Sequence, residues 1–67
     1  MTGNKIKEYL ISKGISQTFV ANKTGIPISK LNAALNGNRK ILAEEYFAIC
    51  QVLNVPLDTF IEKGHST

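Results

Sequence analysis

The stretch TGIPISKLNAALNGNRK, Thr24 to Lys40, decides how this chain is to be read. Gly25 and Pro27 stand directly before a run whose apolar members Leu31, Ala34 and Leu35 recur at helical spacing. Ser29, Lys30, Asn32 and Asn36 fall between them, so a helix over about residues 28–36 has one apolar and one polar face. Pro27 pushes Ile26 away from helical geometry, and its fixed φ suits the start of the helix that follows. Gly25 ends whatever helix comes before, because the left-handed conformation costs glycine almost nothing. Asn36-Gly37-Asn38 closes the stretch with three residues that tolerate turns. The question is whether the polar face is merely solvated or is built to be pressed against a partner.

Working outward, Ile6, Leu10 and Ile11 predict a first helix over about 3–13, closed by Lys13-Gly14. Ser16 suits the N-cap of a second helix over about 16–24, with Val20 and Ala21 facing inward. A fourth helix is expected over about 43–54, with Glu44 and Glu45 in its first turn and Tyr46, Ile49, Cys50 and Leu53 on its inner face. Val55-Pro56 forces an exit, and Leu57, Phe60 and Ile61 predict a short fifth helix. Nothing alternates over enough residues to suggest a strand. The expectation is one all-α domain of five short helices over residues 1–63, followed by a frayed tail, 64–67.

Length and composition bound the function. Sixty-seven residues make one domain, and a chain this short buries only about 60% of its unfolded surface. One cysteine and one histidine cannot make an internal disulfide or a structural zinc site, so oligomerisation is the stabilising supplement left. No apolar run is long enough for a signal sequence or a membrane span, so the expected location is cytoplasmic, away from membranes. The net charge of +3 is unevenly spread: residues 1–40 carry seven cations against Glu8, and residues 41–67 carry Lys63 against four anions. Such asymmetry suits an N-terminal part that faces a polyanion. Catalysis is not expected. His65 and Ser66 lack an orienting third group, Glu44 and Glu45 point to different helix faces, and Cys50 lies on an apolar face. No cofactor is implied.

The residues around Gly25 meet the demands of two helices that cross steeply over a tight turn. Ala21 is small where the helices approach most closely, and Gly25 follows four residues later. Ile26 plugs the turn into the core, while Val20, Leu31 and Ala34 clamp the two helices together. The stretch ISQTFVANKTGIPISKLNAALNGNRK, with AICQVLNVPLDTF after it, resembles the lambda-repressor/Cro-like helix-turn-helix family, also called the xenobiotic-response-element family. The resemblance covers about residues 5–61. It implies a compact five-helix bundle whose third helix lies in the major groove of double-stranded DNA. Family members include phage and plasmid repressors, small Cro-like switches and the antitoxins of some toxin–antitoxin pairs.

The resemblance also implies roles for individual residues. Gln17 occupies the place of a glutamine that commonly contacts phosphate and braces a side chain of the recognition helix, and Thr18 stands beside it as a further phosphate contact. Ile28, Ser29, Lys30, Asn32 and Ala33 fall where base edges are read. Asn36 and the loop residues Asn38, Arg39 and Lys40 fall where phosphates are met. The chemistry fits: Asn bonds bidentately to adenine, a serine hydroxyl serves several bases, and isoleucine presses on a thymine methyl. Cations and amides at helix ends hold phosphates without reading sequence. Taken singly, Asn32 and Asn36 also read as solvated helix surface, and Arg39 and Lys40 as a solvated loop.

The chain departs from the family pattern at Ile28 and Ala33, where polar residues are frequent, and at Pro27 and Leu42, where a capping hydroxyl is common. Tyr9, Phe19 and Phe47 remain after the core is filled. The expected function is a small Cro-type repressor that occludes its promoter as a homodimer. Its pseudo-palindromic operator has half-sites about 34 Å apart, and Phe47, Phe60 and Ile61 are the candidate dimer contacts. The alternative is a protein-binding module, an antitoxin or anti-regulator, built on the same fold.

Overall fold

The computed structural model describes residues 2–61. Its helices are α1 (Thr2–Lys13), α2 (Gln17–Thr24), α3 (Ile28–Leu35) and α4 (Ala43–Leu53), with no strand among the described residues. The frayed tail expected at 64–67, and the domain end at residue 63, lie outside the described residues.

Local chemistry sets most helix ends. Ser16 caps α2 through its Oγ, which accepts from the Phe19 backbone N–H at 3.0 Å. Gly25 ends α2 at φ 80°, its N–H donating to the Ala21 carbonyl. Thr24 adds a clasp: its hydroxyl donates to the Val20 carbonyl at 2.8 Å and accepts from the Ile26 N–H at 3.2 Å. The side chain thus satisfies backbone groups on both sides of the turn. Pro27 starts α3 with no side-chain cap. At α4 the missing hydroxyl of Leu42 is offset from the other direction, because Glu45 reaches back and accepts from the Leu42 N–H at 3.0 Å.

The expected fifth helix does not form; the described part of the chain has four. Asn54 ends α4 in the left-handed conformation at φ 59°, and Pro56 follows two residues later. Residues 57–61 then close separate i→i+3 turns, Thr59 N–H to the Pro56 carbonyl and Ile61 N–H to the Asp58 carbonyl. A stretch this short cannot offset the cost of nucleating an α-helix, so it takes the tighter turn geometry. The apolar spacing at Leu57, Phe60 and Ile61 nevertheless has a purpose, because Phe60 is driven into the core.

That core comprises Ile6, Leu10, Val20, Ala21, Ile26, Leu31, Leu35, Ile49, Cys50 and Phe60. α3 packs against α1 and α2, and α2 packs against α4, so α3 is held from two sides with one face left outward. The assignment of Phe60 to a dimer surface is therefore corrected: it is 3% exposed. Its ring meets Tyr9 edge-on at 5.4 Å and Tyr46 edge-on at 6.4 Å. The Tyr46 hydroxyl donates to the Leu57 carbonyl and accepts from the Phe60 N–H, which fastens the C-terminal turns to α4.

Gly3 is buried where α1 meets α3, and a Cβ at this position would collide with the Ala34 carbonyl oxygen. The approach is one that only glycine permits.

Candidate nucleic-acid interface

The outward face of α3 carries a ladder of hydrogen bonds that crosses three helices. Lys7 of α1 donates from Nζ to Asn36 Oδ1 at 2.6 Å. Asn36 donates from Nδ2 to Asn32 Oδ1 at 3.0 Å, and Asn32 donates from Nδ2 to Gln17 Oε1 at 3.0 Å. Gln17 is the first residue of α2, Asn32 lies mid-way along α3 and Asn36 is its C-cap. The structure thus pairs Gln17 at the start of α2 with the Asn32 side chain of α3. Lys7 was not singled out by sequence reasoning. It stands 29 residues from Asn36, and nothing local in the chain marks the two as neighbours.

The other anticipated residues surround this ladder. Ser29 and Lys30 are exposed, Ile28 is 46% exposed, and Ala33 is half-buried. Thr18 is exposed beside Gln17 at the start of α2. The Lys30 charge makes the smallest of the contributions that lower the Glu45 carboxyl. Asn38 and Lys40 are exposed on the loop after α3. The hydrogen bonds bring Gln17, Asn32 and Asn36 together; Thr18, Ile28, Ser29 and Lys30 are exposed nearby in the chain, and the loop follows α3.

Arg39 is the member whose position is most constrained. Its Nη1 and Nη2 each donate to a Glu45 carboxylate oxygen at 3.1 Å. This fork ties the loop to α4 and uses two of the five guanidinium donors. The Arg39 guanidinium holds the Glu45 carboxyl below its usual value of 4.5, burial opposes it, and the Leu42 N–H adds to the lowering. The folded form therefore binds the Glu45 proton more weakly than the unfolded chain. The stabilisation is fully present above about pH 4.5 and is lost as pH falls through the lowered folded value. Glu45→Gln should cost about 1 kcal/mol at neutral pH. In acid titrations followed by circular dichroism, its deficit against the parent should shrink progressively as pH falls below about 4.5; a deficit that stays constant through that descent would refute the assignment.

The described residues contain no group of His, Cys, Asp and Glu that could hold a metal ion, and no helix long and apolar enough to cross a membrane. What remains is an exposed helix face with amides at its centre, cations at its edges and a turn geometry that presents it outward. A helix-turn-helix family model matches residues 6–60. The chain belongs to this family. It is of the lambda-repressor-like, xenobiotic-response-element type, a family of DNA-binding regulatory domains. Neither a curated protein nor a solved structure matches the chain. This helix-turn-helix chain is accordingly a DNA-binding regulator with double-stranded DNA as its partner.

Proposed function

We propose that the protein is a sequence-specific repressor of Cro type, acting in the cytoplasm as a homodimer that occupies a pseudo-palindromic promoter site and excludes polymerase. The observation that carries this reading is the braced amide of Asn32 on the open face of α3. An amide held in one orientation gives up less conformational entropy when it docks on a base edge. Ile28, Ser29, Lys30, Asn32 and Ala33 would read bases, with Ile28 and Ala33 offering apolar contact to thymine methyls. Gln17, Thr18, Asn36, Asn38 and Lys40 would hold phosphates, joined by the outward donors of Arg39. For the dimer contact, Phe47 and Ile61 remain, at 54% and 49% exposed, with Leu57 at 47% as an additional apolar neighbour in the chain.

Selection of duplexes from a random pool at about 150 mM salt tests this reading directly. An enriched inverted repeat is expected, and its half-site spacing would give the dimer geometry. Retention without enrichment would sink it and turn attention to the antitoxin or anti-regulator alternative, for which the exposed Phe19 and Phe47 are the natural contact residues. On an enriched duplex, Lys40→Ala should weaken every sequence by a similar factor and lower the salt slope by about one. Asn32→Ala should instead relax the preference at one base pair. A salt slope unchanged by Lys40→Ala would contradict that division of labour.

A further inference from the structure

The ladder on α3 has a direction, and one residue imposes it. A lysine ammonium can only donate hydrogen bonds. Lys7 therefore turns the oxygen of Asn36 toward itself and its NH2 group toward Asn32. Asn32 must then turn its oxygen toward Asn36 and its NH2 group toward the Gln17 oxygen. Each amide could take either of two orientations if it stood alone; a donor-only cation at one end leaves a single consistent arrangement. Charge assistance strengthens the first link, and each polarised link strengthens the next.

The arrangement leaves Asn32 with one N–H and one carbonyl lone pair unspent. These match the N7 acceptor and N6–H donor that adenine presents in the major groove. With the amide turned over, donor and acceptor exchange sides and no longer meet that pair from the same docked position. We propose that Lys7, which lies on α1 outside the helix-turn-helix, is a positioning residue that sets the adenine preference of Asn32 through Asn36. Lys7 touches no base in this account; it acts only through the two amides. The proposal rests on the reading of α3 as the base-reading helix.

The test uses the full chain and the duplex most enriched from the random pool. The base pair read by Asn32 is the one whose preference disappears in Asn32→Ala. At that pair, replacing adenine should weaken binding of the parent protein about tenfold, within the range of a bidentate contact. In Lys7→Met the ratio should shrink to about threefold or less, while Lys7→Arg, still donor-only, keeps it. Asn36→Ala should shrink the ratio to the same extent, and the double variant Lys7→Met/Asn36→Ala no further, because both cut one chain. The ratio is independent of the uniform loss that removing a cation brings, so it separates positioning from simple attraction to phosphate. A Lys7→Met protein that binds all duplexes more weakly by one common factor, with the adenine ratio intact, overturns the proposal and leaves the repressor reading standing. Failure of the parent protein to enrich any duplex overturns both.

Discussion

Replacing Phe60 by alanine is expected to destabilise the domain by about 3–5 kcal/mol, the cost of deleting a buried aromatic ring. The ring is almost wholly buried, wedged edge-on between Tyr9 of α1 and Tyr46 of α4. It therefore holds the first helix, the last helix and the C-terminal turns in one cluster. A chain of this size has a total stability of roughly 3–10 kcal/mol, so the substitution should remove much or all of it. Thermal unfolding followed by circular dichroism should show the midpoint falling by more than about 12 °C, or no cooperative transition at all. Phe60→Leu, which keeps apolar volume but loses the edge-on contacts, should fall between. The position discriminates between a core residue and the dimer contact that the sequence suggested. An unchanged melting curve together with weakened self-association would restore the dimer role.

The second large effect is expected at Gly3, and here two arguments give opposite signs. Within a helix, glycine is less favourable than alanine by about 0.5–1 kcal/mol, so local propensity predicts that Gly3→Ala stabilises. In the folded protein the added Cβ meets the Ala34 carbonyl oxygen, a backbone atom that cannot turn aside. α1 must then move away from α3, at a cost of about 1–3 kcal/mol for an overpacked contact. The contact should win, with a net loss of about 1 kcal/mol and a midpoint lower by about 4–8 °C. The displacement should also carry Lys7 away from Asn36 and loosen the ladder on the outward face of α3. Gly14→Ala provides the contrast, since Gly14 lies at φ 70° with nothing near its missing Cβ. Its cost should be that of left-handed backbone alone, about 1–2 kcal/mol. A Gly3→Ala protein more stable than its parent would show that α1 can slide on α3 without penalty.

Both effects bear on how the site is built. α3 presents its outward face only because α1 and α2 grip its other faces, and Gly3 and Phe60 secure α1 from its two ends. The loop after α3 is fixed in turn by the fork of Arg39 on Glu45, whose carboxylate also accepts from the Leu42 backbone N–H at the start of α4. One carboxylate thus stands in for a helix cap and for a loop clamp.

The four helices, the tight turn and the face of α3 were legible in the chain itself. Ser16, Gly25, Pro27 and the Asn36-Gly37 pair act on backbone within one helical turn of themselves, and apolar spacing reports on one helix at a time. The same local logic overreached at residues 57–61. There apolar spacing reported burial correctly, and the backbone that delivers it is set by Pro56 and the Tyr46 hydroxyl. Tertiary structure alone decided the rest: the fit of Gly3 under Ala34, the descent of Phe60 into the core, and the meeting of Lys7 with Asn36 across 29 residues. These depend on where helices cross and how closely, and a crossing is set by the packing of the whole core. Periodicity tells each helix which side to bury; only the assembled helices determine which side chains then meet.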